Sequence, residues 1–222
     1  MVEIRVSDNT INYIRYSKES NLSHLAEAVE AARKTKGLKT SACEGCGICC
    51  RDVIPLNSID IERLSQLLGE RKRDFISRYI DLPEPPKMVE RERGIRDLTR
   101  NFDLGSEQAV LLYELNQAIP AALKKNEDGT CVFLHNNLCS IYPQRPYACM
   151  LYNCIMGEKL DQLYENITAL GTWAAYSKIG WIDAEAIPHN PFISRRRIET
   201  VPLSPFLDID LRAAREKLFS FF

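Results

Sequence analysis

Net charge is nearly absent from this chain: 29 basic and 30 acidic residues leave a formal charge of −1 over 222 residues. No global field draws it to nucleic acid or to an anionic membrane. No apolar run approaches the length of a membrane span, and the opening MVEIRVSDNTINYIRY has no apolar signal-peptide core. The expected location is cytoplasmic. There is no internal repeat and no long low-complexity linker. No serine–histidine–acid constellation or paired carboxylates announce a catalytic centre, so catalytic residues stay unassigned. Histidine is scarce, with three in all.

Cysteine is missing from both flanks and concentrated between them. All eight lie in two groups, Cys43, Cys46, Cys49, Cys50 and then Cys131, Cys139, Cys149, Cys154. Cysteines serving only as small buried hydrophobes would be scattered through a core. A reducing cytosol keeps ordinary thiol pairs from forming disulfides, so thiols gathered there point to metal. With 45% hydrophobic residues the chain can bury a substantial core, and a single domain is expected.

Periodicity places these groups among helices. Asn21 or Ser23 caps a helix through about Lys36, with Leu25, Ala28, Val29 and Ala32 on one face and Gly37 as its stop. PLNSIDIERLSQLLG predicts a helix with Ser58 as N-cap and Gly69 at its end, and a short helix covers about Lys72 to Ile80. The charged stretch from Met88 to Asn101 shows no clear period and is left unassigned. Ser106 caps a further helix that ends at Pro120. NEDG reads as a turn, and CVFL and LCSIY as short strands joined by an HNN loop. Leu160, Leu163, Tyr164, Ile167, Leu170 and Ala174 trace a long helix, and LDIDLRAAREKLFSFF a terminal one. The fold class is mainly α with a small β-hairpin. A metal-stabilised core spans about 43–154, with helical flanks over 1–42 and 155–222.

Thiolates are soft ligands that select zinc, copper(I) or iron–sulfur clusters. A structural zinc site usually joins two C-x2-C hooks. The second group, spaced x7, x9 and x4, offers none. Cys43, Cys46 and Cys49 instead reproduce the C-x2-C-x2-C grip of a cubane cluster, whose fourth ligand must come from Cys50 or the second group. Gly45 and Gly47 lack the Cβ that would block an unusual backbone, which lets the loop wrap a metal. Side chains of neighbouring residues diverge in helix or strand, so Cys49 and Cys50 are expected to serve different partners.

CEGCGICC, IPLNSIDIERLSQLLGERKRDFISRYI and CVFLHNNLCSIYPQRPYAC together resemble the CxxCxxCC cysteine-cluster family of zinc- or iron-chelating proteins, which includes flagellin lysine N-methylases. The resemblance runs from about Cys43 to Cys154. It implies metal binding by Cys43, Cys46, Cys49, Cys50, Cys131, Cys139 and Cys149, with Cys154 just beyond the usual end. Members commonly carry arginine after the last motif cysteine, where this chain has Met150. Methylation is implied more weakly, since the methylases are longer and no glycine-rich loop here suits a methyl donor.

Arg145, before Pro146, is the candidate cofactor-contacting residue: a guanidinium there would offset thiolate charge and donate to sulfur, the alternative being a surface ion pair. His135 lies near candidate ligands but in a hairpin loop, where exposure is the default. His24 and His189 read as structural or solvated. Arg195 to Arg197 read as a solvated turn, with an anionic partner as the alternative. Trp173 and Trp181 read as core or interface anchors. The sequence therefore predicts an iron–sulfur protein with one or two 4Fe-4S centres, for electron transfer or as the metal core of an enzyme. A structural zinc module that binds a protein partner, and a lysine N-methylase-like enzyme, are the alternatives. Neither a nucleic acid nor a membrane is an expected partner.

Overall fold

The computed structural model describes residues 1–8, 10–35, 47–85, 87–102, 105–152, 156–187 and 189–207. Cys43, Cys46, Gly45, Cys154, the expected stop at Gly37 and nearly all of the expected terminal helix lie outside them. Among the described residues the architecture is mainly α: eight α-helices and three two-stranded antiparallel sheets. No described helix is long and apolar enough to cross a membrane.

The N-terminal flank opens not with helix but with a hairpin, β1 (Val2–Ser7) and β2 (Thr10–Tyr16). Its signal is the period-2 alternation of Val2, Ile4 and Val6. These pair with Tyr16, Ile14 and Ile11 and turn one face to the core. Helix α1 (Leu22–Thr35) follows, with the Asn21 side chain accepting from the His24 amide at 3.1 Å.

Helix α2 (Ser58–Leu67) is capped by Asn57 rather than Ser58. The Asn57 Oδ1 accepts from the amides of Ile59 and Asp60 at 2.9 Å each, and Asp60 returns the capping box to the Asn57 amide. The chain leaves through Gly69 at a φ of 63°, a left-handed conformation suited to glycine. Helix α3 (Lys72–Tyr79) passes into β3 (Ile80–Asp81), which pairs with β4 (Ala122–Leu123).

The stretch left unassigned forms α4 (Met88–Phe102), packed on α5 (Ser106–Gln117). Its inward stripe is Met88, Arg91, Ile95, Leu98 and Phe102, a helical spacing with an arginine in an apolar position. Arg91 is buried because its Nη2 donates to Glu114 Oε1 at 2.8 Å and to the Ala186 carbonyl at 2.9 Å. Gly94 is required there: a Cβ would lie 2.4 Å from the Tyr113 ring. At α5 the residue before the helix, Gly105, occupies the cap position, and Ser106 is the first helical residue.

The hairpin of the second cysteine group is shorter than the apolar runs suggested. Only β5 (Leu134–His135) and β6 (Leu138–Cys139) pair, across Asn136 and Asn137 at φ of 50° and 60°. Two asparagines in the left-handed region make a tight two-residue turn, so His135 ends a strand. Helix α6 (Tyr147–Leu151) follows, then the long α7 (Glu158–Lys178) and the short α8 (Ser204–Leu207). One apolar core joins α1, β2, α6 and α7 through Leu25, Val29, Ile11, Leu151, Leu163 and Leu170. A second, around Ile61, Leu64, Phe75 and Phe133, contains Cys131.

Candidate metal centre

The described part of the first cysteine group begins at Gly47, whose φ of 63° favours glycine and whose Cβ, if it had one, would meet Leu134 at 3.4 Å. A 3₁₀ turn, Cys49–Arg51, follows, closed by the Asp52 amide on the Cys49 carbonyl at 3.3 Å. This turn is tied to the second group by main chain. The Cys50 carbonyl accepts from the Cys131 amide at 2.8 Å and from Lys125 Nζ at 2.9 Å, while Lys125 also donates to the Asp52 carbonyl. Arg51 Nη1 reaches the Asp128 carbonyl at 2.8 Å. Cys139 faces Leu134 across the hairpin, and Cys149 sits in α6.

The side chains meet as well. Cys131 is 5% exposed, and Cys50, Cys139 and Cys149 pack against the apolar cluster around it. All five described cysteines are free thiols. Interaction with Cys50, together with burial, raises the Cys49 thiol well above its ordinary range, and interaction with Cys49 lowers that of Cys50. Burial pushes up Cys131 and Cys149, and the charges of the other thiols act in the same direction on both. Cys50 likewise feels Cys131, Cys149 and Cys139. The two groups therefore form one thiol-rich region.

Cys49 and Cys50 are successive residues of the one 3₁₀ turn. Among the described residues no group of three or more cysteine, histidine or acidic side chains is arranged to hold a metal ion. In donor chemistry the region still fits a soft metal, since it gathers thiols from both groups with cations beside them.

The Arg145 guanidinium lies 4.3 Å from the Tyr142 ring centroid and 3.6 Å from Glu30 Oε2. Arg33, 5% exposed near the end of α1, pairs with the same Glu30 oxygen at 3.2 Å and acts electrostatically on Cys49. Lys125 acts on Cys131. Arg33 follows Ala32 at the edge of the apolar stripe of α1, which could have marked it as partly inward; nothing local marked Lys125. His135 is exposed, His24 accepts from the Asn21 amide, and His189 pairs with Glu107 at the surface. Arg195 to Arg197 are exposed, and Trp173 is 1% exposed in the core.

A family model described as "Putative zinc- or iron-chelating domain" matches residues 42–169, more than half of the chain. The chain belongs to the CxxCxxCC family. No curated protein and no solved structure matches it. The span of the CxxCxxCC match begins just before Cys43 and ends within α7, so it takes in both cysteine groups and the α2 and α6 helices packed beside them.

Proposed function

We propose that this chain is an iron–sulfur protein in which both cysteine groups serve one thiolate centre, for electron transfer or as the metal core of an enzyme. The observation that carries the reading is the convergence of Cys49, Cys50, Cys131, Cys139 and Cys149, drawn from both groups. The C-x2-C-x2-C spacing of Cys43, Cys46 and Cys49, and the absence of a second zinc-type hook, favour a cluster over zinc. A bound cluster would supply one-electron transfer. The protein's own contribution is to hold the ligands and balance their charge. Lys125 fixes the Cys50 carbonyl from the side of Cys131, and the positive charges of Arg33 and Lys125 favour the thiolate forms that bind metal. We take the setting to be cytoplasmic, and residues 1–222 as one domain.

Iron, zinc and acid-labile sulfide per chain, measured on anaerobically purified protein, test the reading. Brown protein with iron and sulfide is expected. Colourless protein with stoichiometric zinc that resists iron reconstitution overturns it in favour of a structural zinc site, because zinc has a closed d shell.

A further inference from the structure

We infer that Asp60 is a positioning residue of the thiolate centre: its buried carboxylate grips the first amide of α6 and so fixes where Cys149, two residues on, presents its sulfur. The inference rests on the metal reading above. Asp60 is 0% exposed. Its Oδ1 and Oδ2 lie 3.1 and 3.2 Å from the Tyr147 amide, Oδ1 accepts from Arg63 Nη2 at 3.0 Å, and Oδ2 lies 3.5 Å from the Asn57 amide. Arg63 Nη2 donates in turn to the Arg145 carbonyl at 2.7 Å. One acid–base pair on α2 thus holds the backbone on both sides of Pro146.

Helix α6 has five residues, too few to sustain or orient itself. Its direction is imposed from outside, by Asp60 of α2 at the Tyr147 amide and by α1 at the Tyr147 hydroxyl, which donates to the Leu22 carbonyl at 2.7 Å. Burying a carboxylate costs solvation that a capping box alone does not require, since a neutral side chain can cap a helix. Holding α2, α6 and Arg63 at once uses both oxygens and the charge.

The test uses the full chain, purified anaerobically with the metal it carries, as wild type, Asp60→Asn, Asp60→Ala and the control Asn57→Ala. The control weakens the α2 cap but leaves the Asp60–Tyr147 bonds. Iodoacetamide labelling of Cys149, mapped by mass spectrometry, and the rate of metal release to EDTA are read together. Wild type should protect Cys149. Asp60→Ala should expose it and release metal roughly 10–100-fold faster, the range for partners of metal ligands. Asp60→Asn, with one acceptor left, should fall between, and Asn57→Ala should keep Cys149 protected. If Asp60→Ala does not fold, Asp60→Asn decides by the same criteria. Asp60 variants that match wild type in both readouts overturn the inference alone, as does an Asn57→Ala protein that exposes Cys149 equally. Wild-type Cys149 that is labelled alike with and without metal removes it from the centre, and the inference falls with that reading.

Discussion

The carbonyl oxygen of Cys50 accepts a 2.8 Å hydrogen bond from the amide of Cys131, joining the two cysteine groups through main chain before any metal is considered. Lys125 Nζ reaches the same oxygen at 2.9 Å. Lys125→Met keeps most of the stem and removes the donor. It should cost the metal-free protein about 1 kcal/mol in urea unfolding and speed metal release to a chelator roughly tenfold. Unchanged release would show that the clamp does not support the centre.

Cys49 and Cys50 lie in one 3₁₀ turn that main chain ties to Cys131, and under the one-centre proposal they should belong to the same centre. Cys49→Ser and Cys50→Ser are expected to diminish the same absorption and electron-resonance features. Loss of a distinct spectroscopic component in each would restore two separate centres.

Glu114 is buried, and desolvation pushes its carboxyl up to about 7 although Arg91 opposes the shift. A raised folded value means that the stabilising difference is fully present below the unfolded carboxyl value and is lost as pH rises through about 7. Stability from this group should therefore fall from about pH 4.5 to pH 7 and then level off. Glu114→Gln should flatten that limb in urea midpoints measured at several pH values, and an identical slope in the variant would contradict the assignment.

Gly94→Ala improves helix propensity by about 1 kcal/mol but sets a methyl group 2.4 Å from the Tyr113 ring. The clash should win, with a net loss of about 1–3 kcal/mol. Tyr113→Ala should suppress the added penalty of Gly94→Ala in a double-mutant cycle. A stabilised single variant would refute the close packing of α4 on α5.

Elements with uninterrupted apolar stripes, α1, α2, α3 and α7, were legible because side-chain period and burial agree. Helix α4 is hidden in the sequence because Arg91 occupies a core position made tolerable by partners far along the chain, Glu114 and the Ala186 carbonyl. The β1–β2 hairpin is written in the alternation of Val2, Ile4 and Val6, against the helical flank expected there. Cysteine spacing marked the residues as a candidate site, but not the main-chain bond between Cys50 and Cys131, which joins distant parts of the chain. Asp60 read as an ordinary first-turn acid, because its bonds to Tyr147 span distant parts of the chain.

The central claim is that both cysteine groups enter one centre. The decisive measurement is quantitative alkylation of every cysteine, mapped by mass spectrometry on the anaerobic protein before and after metal removal. The account predicts that Cys49 and Cys50 lose protection together with Cys131, Cys139 and Cys149. Loss confined to one group, with the other unchanged by metal, would contradict it.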